Sequence, residues 1–114
     1  MTRRRDFQLV FNEGVNFASK HLVMYARPNE LDFNRLGLSI SKKVGTAVTR
    51  NRIKRLLREA MRRLLQEFSL NYDFVIIARK SSVEEGLDDF IGDIRRFLKR
   101  LFYEKNSHIS NKAL

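Results

Sequence analysis

Two rhythms alternate along the chain. Ile53, Leu56, Leu57, Ala60, Met61, Leu64, Leu65 and Phe68 fall three and four residues apart, which draws one apolar stripe along a helix. The pattern predicts a helix over 47–68. At about 100° per residue, Asn51, Arg55, Arg58 and Arg62 lie opposite the stripe, with Arg52 and Lys54 beside them. Phe7, Val10, Phe11 and Gly14 share the same spacing and predict a first helix from Arg4 to Glu13, capped by Thr2 and stopped by Gly14. Leu87, Phe90, Ile91, Ile94, Phe97, Leu98, Leu101 and Phe102 predict a last helix. Ser81-Ser82 with Glu84 and Glu85 reads as its capping box.

Between these segments the rhythm changes. Val15 to Arg27 reads as extended, with strand composition from Leu22 to Ala26 and an end at Pro28. Leu36, Leu38 and Ile40 alternate with Gly37, Ser39 and Ser41, a strand whose second face is small enough to leave room for something to approach. Tyr72 to Ala78 is nearly all apolar, the mark of a strand covered on both faces and therefore central. The order is helix, three strands, helix, strand, helix. It predicts one α+β domain over residues 1–105, a two-layer sandwich of helices on a small mixed sheet. Residues 106–114 carry no pattern and are expected to be a disordered tail.

Charge sharpens the picture. The chain holds 23 Lys and Arg against 13 Asp and Glu, and the excess is concentrated. Residues 42–63 carry nine basic side chains and one acid, Glu59. Residues 3–5 add three arginines, whereas residues 64–114 hold eight charges of each sign. A polyanionic partner is the reading that fits such a field, nucleic acid ahead of a membrane surface. With no cysteine in 114 residues, disulfides, thiolate metal sites and thiol nucleophiles are excluded. No apolar run approaches the length of a membrane span, and the N-terminus lacks the apolar block of a secretory signal. The expected location is cytoplasmic.

The basic segment has chemistry as well as charge. Lys42 and Lys43 follow a strand, Gly45 makes a turn, and Arg50-Asn51-Arg52 opens the helix, with Lys54, Arg55 and Arg58 continuing along it. Guanidinium forks suit phosphate oxygens. Asparagine offers a donor and an acceptor to a sugar or base edge, and a helix N-terminus attracts anions. Cations at that end oppose the helix dipole, a local cost that a bound anion offsets. Phe7 and Phe11 on one helix face, near a strand of small residues, fit two readings. Periodicity alone favours core, whereas aromatic platforms beside a basic groove hold single strands. Tyr25 is open in the same way, because its ring can pack while its hydroxyl stays wet.

The run from Gly37 to Ala60, with Arg50-Asn51-Arg52 at its centre, closely resembles the signature of the bacterial ribonuclease P protein component. Asp6 to Phe11 with Gly14 is similar to that family's first helix, and Tyr72 to Arg79 to its fourth strand. The resemblance implies an accessory protein subunit whose RNA partner is the catalyst. Together they remove the 5′ leader of precursor transfer RNA, with Mg2+ held by the RNA. It implies that Lys42, Lys43, Arg50, Asn51, Arg52, Lys54, Arg55 and Arg58 face RNA, and that Phe7, Phe11 and Tyr25 line a cleft for the single-stranded leader. It also implies a left-handed crossover from the third strand to the fourth, and a monomeric protein in a 1:1 complex with RNA. The N-terminus is shorter than the basic lead-in of many relatives.

Other signals are weaker. His21 and His108 have no sequence partner for a metal. Asp88, Asp89 and Asp93 alternate with Arg95, Arg96, Lys99 and Arg100 in the manner of an ion-paired helix face. No triad, phosphate loop or paired-carboxylate arrangement stands out, which argues against a protein-only nuclease. The alternative is a non-catalytic RNA-binding module such as a ribosomal protein.

Overall fold

The structure, a computed structural model, describes residues 4–68 and 71–113, with the backbone alone for 104–113. Helix α1 spans Arg4–Glu13. Strands β1 (Val15–Ala18), β2 (Leu22–Pro28) and β3 (Arg35–Ser39) follow. A 3-10 turn at Lys42–Val44 leads to α2 (Ala47–Leu64), which tightens into a second 3-10 turn at Leu65–Glu67. Then come β4 (Tyr72–Ala78), a 3-10 turn at Lys80–Glu84, and α3 (Leu87–Ala113). The cap expected at Thr2 and the arginine at position 3 lie outside the described residues.

The strands form one sheet in the order β1-β2-β4-β3. β2 pairs antiparallel with β1 and β4, and β3 pairs parallel with β4. The predicted α+β architecture and the central place of β4 are therefore both present. The β3–α2–β4 connection is a crossover between adjacent parallel strands.

Alternation along the strands sorts side chains to two faces. Phe17, Leu22, Met24, Ala26, Phe74 and Ile76 face the layer of α2 and α3 and form the main core with Ile53, Leu57, Met61, Leu64, Phe90, Ile94 and Leu98. Each large side chain fully removed from water there contributes about 1.5–3 kcal/mol. The stripe of α2 is thus consumed by packing, and its polar side is left outward. The other sheet face carries Val23, Tyr25 and Arg27 of β2, Asp73, Val75 and Ile77 of β4, and Arg35, Gly37 and Ser39 of β3. α1 lies on that second face, with Val10 fully buried beneath it.

One ion pair latches this second face. Asp73 is 2% exposed. It accepts from Arg35 Nε at 2.8 Å and Nη2 at 2.6 Å, and from Asn29 Nδ2 at 2.9 Å. The Arg35 guanidinium, helped by Asn29, holds the Asp73 carboxyl below its usual range against the opposing effect of burial. Its folded-state pKa therefore lies below the unfolded one. The stability it contributes is full above the ordinary carboxylate range and is lost as pH falls through the lowered folded value. Asp73→Asn is expected to cost about 3 kcal/mol at neutral pH, with the gap to the parent narrowing on acidification. Urea unfolding at several pH values checks this, and a gap that does not change with pH contradicts it.

Three boundaries differ from the sequence pattern: the helix expected over 47–68 ends at Leu64 and gives way to a 3-10 turn, and two more concern α3. The cap of α3 is not the Ser81-Ser82 pair, which is absorbed into the 3-10 turn. Instead Asp89 Oδ2 accepts from the Gly86 N–H at 2.9 Å, so the carboxylate reaches back from the first turn to a glycine. α3 also continues past Lys105 to Ala113, where a disordered tail was expected. Between Gly92 and Ala113 the sequence has neither glycine nor proline, and extending an existing helix is far cheaper than starting one.

Candidate nucleic-acid interface

The start of α2 gathers positive charge. Thr46 is the N-cap, its side chain accepting from the Thr49 N–H at 3.3 Å, and the first turn contains no acid. Seven cations from Lys42 to Arg58 surround it. Among the described residues none of the seven has a carboxylate within 4 Å. The one acid of the segment is occupied elsewhere, since Glu59 pairs with Arg62 at 2.6 Å and Arg63 at 2.8 Å. Those two guanidinium groups draw the Glu59 carboxyl down to about 2. The charge ahead of it is left uncompensated.

Exposure divides the expected RNA-facing residues. Lys42, Lys43, Asn51, Arg55 and Arg58 are exposed, and Arg50 and Lys54 are half-buried. Arg52 does something else: its guanidinium donates to Glu85 O at 3.1 Å and Val83 O at 3.4 Å. It therefore ties the opening of α2 to the turn before α3, and its charge stays unneutralised because carbonyls carry no net charge. Sequence reasoning missed Val48, which is 79% exposed in the midst of these cations. The pattern gave no sign of it, because valine is ordinarily counted toward a core.

The expected leader cleft has its own geometry. α1 lies across the row formed by Arg27, Asp73 and Arg35, with Glu13 Oε2 2.6 Å from Arg27 Nε and Asp6 Oδ1 3.9 Å from Arg35 Nη2. In the next row, Tyr25–Val75–Gly37, Val75 and Gly37 are buried and Tyr25 is half-buried, and the row after it, Val23–Ile77–Ser39, is half-buried to exposed. Phe11 meets Tyr25 edge to face at 4.9 Å between ring centroids, and Phe7 stands 6.4 Å from Phe11. The three rings form one chain. None is fully buried, and Phe11 is 37% exposed. Gly37 and Ser39 are the small residues of the pattern, and they share a face with these rings.

Among the described residues no three His, Asp or Glu side chains gather in a way that could hold a metal ion. Asp93 of the acidic group on α3 instead accepts from Ser19 Oγ at 2.9 Å and pairs with Arg96. Among the described residues no helix is long and apolar enough to cross a membrane.

Comparison with known proteins gives one answer. The profile of the ribonuclease P family matches residues 1–102. The ribonuclease P protein component of Clostridioides difficile is 45% identical over 96 residues, covering 83% of this chain and 84% of the relative. That of Halalkalibacterium halodurans is 43% identical over 99 residues, covering 86% and 83%. The solved RNase P protein of Thermotoga maritima superimposes with a TM-score of 0.79 at 33% identity, over 88% of this chain and 94% of that one. The RNase P protein of Staphylococcus aureus gives 0.78 at 33% identity, over 89% and 93%. With its basic helix and mixed sheet thus matched along nearly its whole length, the chain belongs to the ribonuclease P protein component family, as the protein subunit that partners the RNA of this transfer-RNA-processing endoribonuclease.

Proposed function

We propose that the two faces of the sheet serve two strands of RNA. The surface from Lys42 to Arg58 docks on the catalytic RNA in a 1:1 complex, and the cleft beside Phe7, Phe11 and Tyr25 holds the single-stranded 5′ leader of precursor transfer RNA. The observation that carries this reading is the seven-cation surface without carboxylate partners, on the far side of the sheet from three partly exposed rings. Cations spaced along a helix recognise a phosphate backbone, and exposed rings give bases a surface on which to stack. On this reading the metal ions of the reaction belong to the RNA. The protein's own share is to bind, orient and neutralise charge, and the cytoplasm is where such an assembly would work.

The test is cleavage of precursor transfer RNA. The protein alone is expected to leave it intact, and addition of the RNA subunit to release the leader at low millimolar magnesium. Cleavage by RNA-free, nuclease-free protein refutes the reading. The cleft is probed separately. Phe11→Ala is expected to weaken holoenzyme binding of leader-bearing substrate by about 1–3 kcal/mol for each base that loses its platform, while binding of mature transfer RNA is unchanged. Equal losses for both ligands remove Phe11 from the cleft, and a thermal melt of the variant separates that result from unfolding.

A further inference from the structure

Beside the opening of α2 the surface continues into an open groove that the charge pattern of the sequence does not reveal. The groove has a volume of about 540 Å3, and its lining includes Lys20 and His21 from the β1–β2 connection, Val44 from the turn before α2, and Lys80, Ser81 and Glu84 from the turn before α3. Arg52 joins it to the docking surface, since the carbonyls it holds are those of Val83 and Glu85. Three separate stretches of chain therefore meet beside the same helix end.

The groove is pinned rather than loose. Ser81 Oγ donates to Lys20 O at 2.9 Å, the Arg79 N–H donates to His21 O at 2.8 Å, and His21 Nε2 lies 2.7 Å from Glu85 Oε1. The backbone beneath both lysines is thus fixed. Lys20, Arg79 and Lys80 are exposed, and among the described residues none has a carboxylate within 4 Å. Two acids also line the groove: Glu85 lies against the His21 ring, and Glu84 has no basic partner within 4 Å among the described residues.

We propose that the RNA-docking surface does not end at α2 but runs across this groove, where Lys20 and Lys80 take phosphates of the same RNA subunit. The inference rests on the docking face proposed above and extends it. Ammonium groups act on phosphate as point charges without a demanded geometry, which suits a continuous backbone crossing a groove. An RNA lying along the exposed cations of α2 meets Lys42 and Lys43 at its end, and the turn that bears them packs against the turn bearing Lys80.

The experiment is the dependence of RNA-subunit binding on salt. Lys20→Ala/Lys80→Ala is expected to lower the slope of log affinity against log salt by about 1.4–1.8, two terms of 0.7–0.9. That corresponds to a loss of about 30-fold at 0.1 M salt that vanishes near 1 M. Lys99→Ala/Arg100→Gln, which removes the same charge from α3, is expected to leave the slope alone. An unchanged slope in the first variant overturns the proposal. An equal fall in both variants also overturns it, because the effect is then the field of the whole protein. Arg55→Ala/Arg58→Ala distinguishes the two readings. If it lowers the slope and the lysine variant does not, only the extension fails. If neither does, the docking face fails as well. Should the alanine variant melt lower than the parent, Lys20→Gln/Lys80→Gln repeats the test with longer side chains.

Discussion

Replacing Lys43, Arg55 and Arg58 together with alanine is expected to weaken binding to the RNA subunit by about 100–500-fold at 0.1 M salt, and hardly at all near 1 M. Each phosphate contact contributes a slope term of about 0.7–0.9, and three of them sum to that range. The three side chains are exposed and have no carboxylate partner among the described residues, so folding loses nothing with them. It gains a little. Arg55 and Arg58 are like charges three residues apart, and alanine is the better helix former. The melting temperature is therefore expected to hold or to rise by a few degrees. Titration of labelled RNA across a salt series, beside a thermal melt, reads both quantities. A loss that salt does not relieve would mean the contacts are not ionic, and a fall in melting temperature would mean the residues support the fold. Opposite signs in stability and affinity are what a surface kept for a partner produces.

Gly14→Ala is expected to destabilise the protein by about 2–4 kcal/mol. The added methyl carbon would stand 2.5 Å from Val10 O and 2.8 Å from Ala26 O. Both are backbone atoms, so no side chain can swing aside. Either α1 lifts from β2 or the strand bends. Lifting α1 draws Phe11 away from Tyr25, now 4.9 Å apart, so leader-bearing substrate is expected to lose affinity in the holoenzyme. The salt slope of RNA-subunit binding should stay as it was, because α2 sits on the other sheet face. Urea unfolding gives the first quantity and paired binding of leader-bearing and mature transfer RNA the second. A variant as stable as the parent, with leader binding intact, would mean that helix and strand can part without cost.

The sequence carries most of this architecture, for identifiable reasons. The stripe that runs along α2 and on to Phe68 and the unbroken apolar run of β4 are signals that one environment dictates, a buried face in one and two buried faces in the other. The spacing of the same stripe is enough to set the outward direction of Asn51, Arg55 and Arg58. What the pattern does not carry depends on contacts between distant segments. Phe7 and Phe11 have the spacing of core residues. Their partial exposure follows from the way α1 seats on the second sheet face, with Val10 turned fully inward and Phe11 reaching only the edge of Tyr25. Arg52 sits in the signature next to the exposed Asn51, yet it bonds to carbonyls more than thirty residues away. The cap of α3 is missed because a glycine with a carboxylate three residues on competes poorly, as a signal, with two serines. Lys20 and Lys80 come from segments with no basic excess, and only the fold brings them to one groove.

The place of β4 bears on how such a chain comes off the ribosome. The strand on which β2 and β3 both depend is the last to be made: each hydrogen-bonds to it, and neither bonds to the other. Until residue 78 is free, the nascent chain holds at most a hairpin, a lone strand and two amphipathic helices without the full sheet that covers their apolar sides. Long-range pairing of this kind forms slowly. The cationic helix is therefore synthesised before the scaffold that aims it, and productive docking on RNA has to wait for nearly the whole polypeptide to emerge.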